Sequence, residues 1–331
     1  KLNPAGAGAA DLLYSTYIGG NNAEGPWGLT IDTSGNIYIG GFTYSTTFPV
    51  KNAYQSSNGG GIDAWAVKIN PASSGENSLV YATYFGGSAN DSCRSSVFVD
   101  SLGNFYLSGY TNSTNLPTTV NAYDTSHSGT GADVFVAKLN PSGNGLLYSS
   151  YLSETGASQG TDISWGIAVD SIGNIYISGE TASSNFPTSV GAYDASHNGA
   201  IDAFVAKLHP ALTWDGSTDT NWATAANWDT GYVPDATDDV IIADVTNDPV
   251  LDSNRTTNNL TINSGGLLSL GGYNLTITGN FDNTGNLQLR GDETISITGT
   301  TTHNAGSTVT YVGVADYSTD TFYLQNWGGK N

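Results

Sequence analysis

Basic residues are scarce in this chain of 331 residues, which has nine Lys and Arg against 29 Asp and Glu and a formal net charge of −20. Contact with nucleic-acid phosphates needs a basic stripe, so the composition excludes a nucleic-acid partner and disfavours an anionic membrane surface. No run approaches the roughly 20 apolar residues of a membrane-spanning helix. We therefore expect no nucleic acid among the partners and no insertion into a membrane.

Sulfur-containing residues are almost absent. Cys93 is the single cysteine, which excludes a framework of intrachain disulfides. Methionine is missing altogether, even at position 1, so we expect a mature form or an excised piece of a longer protein.

The residues that are abundant favour turns rather than helices. Most of the 29 acidic residues are Asp, and they accompany 42 Gly and many Ser, Thr and Asn. We therefore predict an all-β chain, long enough for two domains. The acidity also leaves many carboxylates free for hard cations such as calcium, although no cofactor is required by the pattern.

A ten-residue motif occurs three times, at Asp32 to Gly41, Asp100 to Gly109 and Asp170 to Gly179. In each copy Asp ends an apolar run, Gly stands where a turn needs positive φ, and Asn-x-Tyr resumes the alternation of a strand. The motif predicts a repeated β-hairpin.

Other segments repeat with nearly the same period. The segments LLYSTY, LVYATY and LLYSSY place their first tyrosines 67 residues apart, at Tyr14, Tyr81 and Tyr148. A repeat of this kind is the signature of an array of similar structural units. Three copies fill residues 12–210.

Each copy is predicted to contain four strands, which is the composition of a propeller blade. In the last copy these are Trp165–Val169, Asn174–Gly179 and Ala203–Leu208, with a fourth of the type Leu146–Leu152 at the junction between copies. A long insertion containing Phe186-Pro187 separates the second strand from the third.

These motifs, in this fixed order, resemble the SBBP family of bacterial β-propeller repeats. The shared features are an apolar strand ending in Asp, then Ser-x-Gly-Asn, an aromatic-Pro corner, and Asp-Ala-Phe-Val-Ala-Lys-Leu. The resemblance spans residues 1–210 and implies propeller blades in a secreted or surface protein. The family supplies no catalytic residues.

The predicted number of blades raises a question about ring closure. Closed propellers have about four to eight blades, whereas we predict three four-stranded blades and an incomplete one whose remnant, Lys1–Pro4, matches Lys138–Pro141. One explanation is that upstream blades precede Lys1 in a longer protein. The other is self-assembly, in which two chains each contribute three blades to one ring.

Residues 211–331 are predicted to form a second domain. A lead-in rich in Trp and Asp is followed by short alternating runs such as Asn259–Ile262 and Asn274–Ile277, separated by Gly and Asn. Such runs suit the rungs of a β-solenoid, with a β-sandwich as the alternative. The segment is similar, less specifically, to rungs of bacterial adhesins and autotransporter passengers, with the lead-in as an end cap.

We predict no catalytic residues, because no nucleophile with a base and no acid pair outside the repeats is found. The candidate ligand-binding residues are Trp27, Trp65 and Trp165, whose rings could stack on sugars, with packing between blades as the alternative. Lys68 and its counterparts are expected to pair with Asp residues of neighbouring strands.

A candidate calcium site lies at the start of the second domain. Asp235, Asp238 and Asp239 supply three carboxylates within five residues. The alternative is a capping turn in which these groups bond to the backbone.

The sequence therefore predicts a non-catalytic structural or adhesion protein, located outside the cell or at its surface, whose partners are surface or matrix proteins or glycans. A glycan-binding propeller module is the second hypothesis. A polysaccharide-degrading enzyme is the third, since propellers and β-helices also carry such chemistry.

Overall fold

The computed structural model describes residues 1–2, 8–152 and 160–313, and the regular secondary structure of these residues is almost entirely β-strand. The chain divides into two compact units, Lys1–His209 and Pro210–Asn331. Short 3₁₀ helices occur at Gly8–Asp11, Gly75–Ser78 and Ala225–Asn227. In the described part of the chain no helix is long and apolar enough to cross a membrane.

The first unit begins with two four-stranded antiparallel sheets, blade 1 and blade 2, whose strands lie side by side in chain order. Blade 1 consists of β1 (Glu24–Ile31), β2 (Ile37–Thr43), β3 (Asp63–Ile69) and β4 (Leu79–Phe85). Blade 2 consists of β5 (Asp91–Val99), β6 (Phe105–Thr111), β7 (Asp133–Leu139) and β8 (Leu146–Leu152).

Blade 3 has three strands, β9 (Asp162–Val169), β10 (Ile175–Thr181) and β11 (Asp202–Leu208). After β11 the chain enters the second unit at Pro210 instead of turning back to add a fourth strand. The prediction of partial propeller blades is confirmed, with four strands in blades 1 and 2. Of the predicted remnant of an earlier blade, residues 3–4 lie outside the described residues.

The repeated motif forms the hairpin that joins the first two strands of each blade. Asp32 accepts hydrogen bonds at Oδ1 from the N–H groups of Ser34 and Asn36, both at 2.9 Å, and at Oδ2 from Asn36 Nδ2 at 2.7 Å. The turn glycine, Gly35, has φ 80° as predicted. Although partial burial acts to raise it, these hydrogen bonds hold the pKa of Asp32 below its usual value.

The glycine that ends the motif is required by close backbone contact. A Cβ atom at Gly41, Gly109 or Gly179 would lie within about 2 Å of a carbonyl oxygen of the neighbouring first strand, which is bulged at this point in all three blades. Any side chain there would force the first two strands apart.

Aromatic and aliphatic side chains fill the two seams between blades. Tyr38 and Phe85 of blade 1 pack with Phe105, Leu107 and Phe135 of blade 2. The opposite face of blade 2 packs on blade 3 through a second cluster, with Tyr106, Val136, Leu152, Ile177, Phe204 and Leu208. Blade 2 therefore buries both of its faces, one in each seam, because successive side chains of a strand point to opposite faces of the sheet.

The repeated lysines lie over tyrosine rings of the neighbouring strand. Lys68 Nζ is 4.9 Å from the ring centre of Tyr38, and Lys138 Nζ is 5.6 Å from that of Tyr106. Tyr38 in turn donates to Asp32 of the hairpin. Lys68 therefore makes a cation–π contact with Tyr38, and it also interacts electrostatically with Asp32 of the hairpin.

The second unit contains short strands separated by turns. In chain order they are β12 (Leu212–Trp214), β13 (Val240–Ile242), β14 (Arg255–Thr257), β15 (Leu260–Ile262), β16 (Leu267–Ser269), β17 (Leu275–Ile277), β18 (Phe281–Asn283), β19 (Asn286–Leu289), β20 (Ile295–Ile297), β21 (Thr301–His303) and β22 (Thr308–Tyr311). They form three parallel sheets, ordered β12-β13-β15-β18-β21, β14-β17-β20 and β16-β19-β22.

This parallel pairing makes the second unit a β-solenoid of about four turns, not a β-sandwich. Leu260 pairs with Val240 in the turn before it and with Phe281 in the turn after it, so one turn takes about 20 residues. Leu, Ile and Phe side chains from successive turns fill the interior, and Trp214, Trp222 and Trp228 are buried in the same cluster. The Trp-rich lead-in is therefore part of the core.

Candidate ligand-binding surface

The three tryptophans predicted to bind a ligand occupy two different environments. Trp65 lies on β3 with 2% of its surface exposed, packs against Phe48 with ring centres 5.3 Å apart, and donates its indole N–H to Phe42 O at 2.8 Å. It is a core residue of blade 1, so the structure removes it from the candidate surface. Trp27 and Trp165 are 45% and 42% exposed.

Trp27 and Trp165 stand at bulges of the first strands of blades 1 and 3. In the pairing of β1 with β2 the register shifts between Pro26 and Gly28, and in the pairing of β9 with β10 it shifts at Trp165. A bulge turns a side chain away from the regular alternation of the strand. Because β1 and β9 both contact β5, the two side chains come to lie on either side of blade 2.

Arg94 of blade 2 lies between the two tryptophans. Its guanidinium carbon is 5.2 Å from the ring centre of Trp27, 5.8 Å from that of Trp165 and 5.1 Å from that of Tyr110. The bulge in β5 contains one more residue than those in β1 and β9, and Ser95 within it adopts φ 53°. We call Trp27, Arg94, Tyr110 and Trp165 the aromatic–arginine cluster.

The cluster combines two modes of recognition. Half-exposed indole rings offer flat apolar faces for stacking, and a guanidinium held among them can bind a carboxylate through two parallel hydrogen bonds. The Nε atom of Arg94 is buried and has no hydrogen-bond partner among the described residues. The arrangement suits a planar or ring-shaped ligand that carries a negative charge.

The sequence pointed to Trp27 and Trp165 but not to Arg94 or Tyr110. The signals were present: Arg94 is one of three arginines in the chain, and β5 has one residue more than its counterparts. A strand pattern alone does not show which way a bulge directs an inserted side chain.

The predicted calcium ligands are engaged in turns and between rungs. Asp235 Oδ1 accepts from Thr237, Asp238 Oδ2 accepts from the N–H of Asp235, and Asp239 Oδ1 accepts from Asn258 and Asn259. Across residues 1–2, 8–152 and 160–313 no group of three or more His, Cys, Asp or Glu side chains is arranged to hold a metal ion. The geometry is that of the capping turn.

Asp239 instead begins a ladder along one corner of the solenoid. Its carboxylate accepts from the N–H of Asn259, Asn259 Oδ1 accepts from the N–H of Asn280 at 2.7 Å, and Asn280 Oδ1 accepts from that of Thr300 at 2.9 Å. Stacked side chains of this kind satisfy the corner N–H groups of successive turns.

The fold defines a protein of β-propeller repeats followed by a β-solenoid. Two segments, residues 80–117 and 148–187, match the family model of the SBBP β-propeller repeat. Residues 213–323 match a domain of unknown function, DUF8693. No curated protein matches the chain. Each matched repeat begins in the fourth strand of one blade and continues into the first two strands of the next.

Proposed function

We propose that the chain is a non-catalytic structural protein of the cell surface or the extracellular matrix, where it acts as a rigid scaffold in adhesion. The observation that carries the proposal is regular repetition in both units. The acidic hairpin is built in the same way in each blade, and the corner ladder continues from turn to turn of the solenoid. Repetition of this kind builds extended, stable surfaces.

The distribution of acidic groups supports a scaffold more than an enzyme. Asp63 and Asp91, whose carboxyl groups interact between blades 1 and 2, are fully buried. Carboxyl groups that cleave a glycosidic bond must reach a substrate in a cleft. The hairpin aspartates are likewise used by their own turns.

The location is tested on intact cells of the source organism with an antibody raised against the purified chain. We expect the antibody to label unbroken cells or the secreted matrix, and added protease to abolish the label. An antibody to a cytoplasmic enzyme of the same cells serves as the control for leakage. Signal that appears only after the cells are broken would contradict the proposal.

Glycan binding is the second candidate function, and the aromatic–arginine cluster favours it. A sugar ring would stack on Trp27 or Trp165, and its carboxylate would bind Arg94. Because the guanidinium is the charged group of the cluster, we propose an acidic sugar such as a uronic acid rather than a neutral one.

This candidate is tested with a glycan array and then by titration of the best uronic-acid oligosaccharide. We expect Trp165→Ala and Arg94→Met each to weaken binding roughly tenfold, the cost of losing one desolvated stacking or charged contact. Tyr273→Ala, which removes a tyrosine of similar exposure in the second unit, is the matched control. An array on which acidic and neutral sugars are both silent would exclude this candidate and leave the scaffold proposal intact.

A further inference from the structure

Blade 3 has an open groove where blades 1 and 2 carry their fourth strand. The groove measures about 930 Å³ and lies along β11, between that strand and the insertion that contains Phe186. Its walls include Leu152, Phe204 and Leu208, which belong to the core between blades 2 and 3. The groove therefore continues an existing seam.

The fourth strand is held on both sides in the complete blades. In blade 1, β4 pairs with β3, and its other edge bonds to the insertion through Ala82 with Lys51 and through Tyr84 with Gln55. Blade 2 repeats this arrangement, since Tyr151 of β8 bonds to Asp124 of its insertion.

In the complete blades, the hydroxyl group of one tyrosine on the fourth strand bonds to the backbone of the corner that precedes the insertion. Tyr84 Oη accepts from the N–H of Phe48 and donates to the carbonyl oxygen of Ser45, both at 2.9 Å. Tyr151 makes the same two bonds in blade 2. In blade 3 the corresponding N–H, that of Phe186, bonds directly to Ser183 O at 3.3 Å.

Residues 12–18, with the sequence LLYSTYI, match this missing strand and already lie at the opposite end of the blade array. They align with LVYATYF of β4 and LLYSSYL of β8. Tyr14 and Ile18 pack on blade 1, as the corresponding residues of β4 pack on blade 2. Tyr17, the counterpart of Tyr84 and Tyr151, is fully exposed.

The two ends of the array expose positions that are covered inside it. Leu29 and Ile31 of blade 1 are 65% and 61% exposed, whereas their counterparts in blades 2 and 3 pack in the seams. At the other end Val205 of blade 3 is 82% exposed, and its counterpart Val136 is fully buried. The exposed faces at the two ends are therefore the counterparts of the two faces that pack against each other inside the array.

We propose that two copies of this chain complete one another, residues 12–18 of each copy adding as the fourth strand of blade 3 of the other. The bound strand keeps its packing on its own blade 1 and places Tyr17 at the corner formed by Ser183 and Phe186. In the single chain Lys1 and Leu2 bond to residues 12–14. In the dimer β11 of the other copy takes their place along this edge of residues 12–18. Two chains of three blades make a six-bladed ring, within the range of closed propellers.

The register of the complete blades fixes the contacts of the added strand. Ala66 stands opposite Thr83 in blade 1, and Val136 stands opposite Ser150 in blade 2. The same register places Thr16 of one copy opposite Val205 of the other. Directly opposite residues of an antiparallel pair have Cα atoms about 4.5–5.5 Å apart, which allows a disulfide.

The test is a disulfide between these two positions in the full chain. A 1:1 mixture of Thr16→Cys and Val205→Cys chains, oxidised mildly, is expected to give a covalent heterodimer. Both positions are exposed in the single chain, so neither substitution threatens the fold. Val120→Cys replaces Val205→Cys in the matched control, because Val120 is 81% exposed but lies in the insertion of blade 2. If the Thr16→Cys and Val120→Cys chains cross-link as well as the Thr16→Cys and Val205→Cys chains do, the proposed register is wrong.

Ring closure is tested with the double variant Thr16→Cys/Val205→Cys and by the mass of the unmodified chain in solution. We expect oxidation of the double variant to stop at a dimer, and sedimentation of the unmodified chain to give a mass of twice 34.4 kDa. Tyr17→Ala is expected to raise the dissociation constant of the dimer at least tenfold. Tyr273→Ala, the control, is expected to leave it unchanged. A chain that stays monomeric at all concentrations overturns the proposal, and a covalent ladder of higher oligomers overturns closure. Neither result bears on the surface location or on glycan binding.

Discussion

Replacing Trp228 by Ala is expected to lower the free energy of unfolding of the solenoid by about 3–5 kcal/mol. Trp228 is fully buried between Trp214 and Trp222, with ring centres at 5.1 and 4.8 Å and both pairs edge to face. Its indole N–H also donates to Trp222 O at 3.0 Å. The substitution removes an aromatic cluster and leaves a cavity beneath the first turns, and such a loss is a large part of the stability of one domain.

The measurement is urea unfolding followed by near-ultraviolet circular dichroism, with limited proteolysis to locate the cleaved unit. Trp228→Phe is the matched control, because it keeps an aromatic ring and loses only part of the volume. We expect Trp228→Phe to lower the free energy of unfolding by less than half as much as Trp228→Ala does. In the Trp228→Ala variant, new cleavage sites should fall within residues 210–313. A loss below about 1 kcal/mol for Trp228→Ala would show that the cluster does not support the solenoid.

Most of the blade structure was predictable because each chemical signal recurs at the same place. The aspartate of the hairpin bonds its own turn in all three copies, and the following glycine has the positive φ expected of it. The sequence did not show that blade 3 stops at three strands. The segment after β11 resembles the chain after β3 and β7 up to its proline, and only the fold shows that it then leaves the blade.

The solenoid was less predictable than the blades. Short alternating runs bury one face in a parallel rung and in an antiparallel sandwich alike, so the pattern left both open. What distinguishes them is the corner ladder of Asn259 and Asn280, whose side chains bond to the N–H group about 20 residues further along. Asparagine at that spacing is a sequence signal for stacked turns.

The candidate site was predictable only in part, for reasons of local geometry. Trp65 belongs to a regular strand whose alternation directs it into the core of blade 1, whereas Trp27 and Trp165 belong to bulges that direct them outward. Arg94 joins them because β5 carries an additional residue at its bulge. Side-chain direction at a bulge depends on the local backbone, which composition and periodicity do not specify.

The stability difference between an Asp63→Asn variant and the wild-type chain is expected to depend on pH. Burial, and secondarily the nearby Asp91 carboxylate, raises the pKa of Asp63 to about 7. An unfolded chain has this group at about 3.9, so the folded state favours the protonated acid. The carboxyl group therefore has no effect on the free energy of unfolding below about pH 4. It lowers that free energy progressively between about pH 4 and 7, and the loss is complete above that range.

The amide of the Asp63→Asn variant remains neutral at every pH and keeps the size of the aspartate side chain, whose Oδ2 accepts from Gly59 and Gln55. We therefore expect the variant to gain stability over wild type as the pH rises from about 4 to 8, by on the order of a few kcal/mol. Urea unfolding at each pH gives the difference directly. Asp32→Asn is the matched control, and its difference from wild type should stay constant from about pH 4 to 8. Although partial burial acts to raise it, hydrogen bonds hold the pKa of Asp32 below its usual value, so the stabilising effect of this carboxylate is lost only as the pH falls below about 4. A difference for Asp63→Asn that is constant across this range would mean that Asp63 is charged in the folded blade throughout.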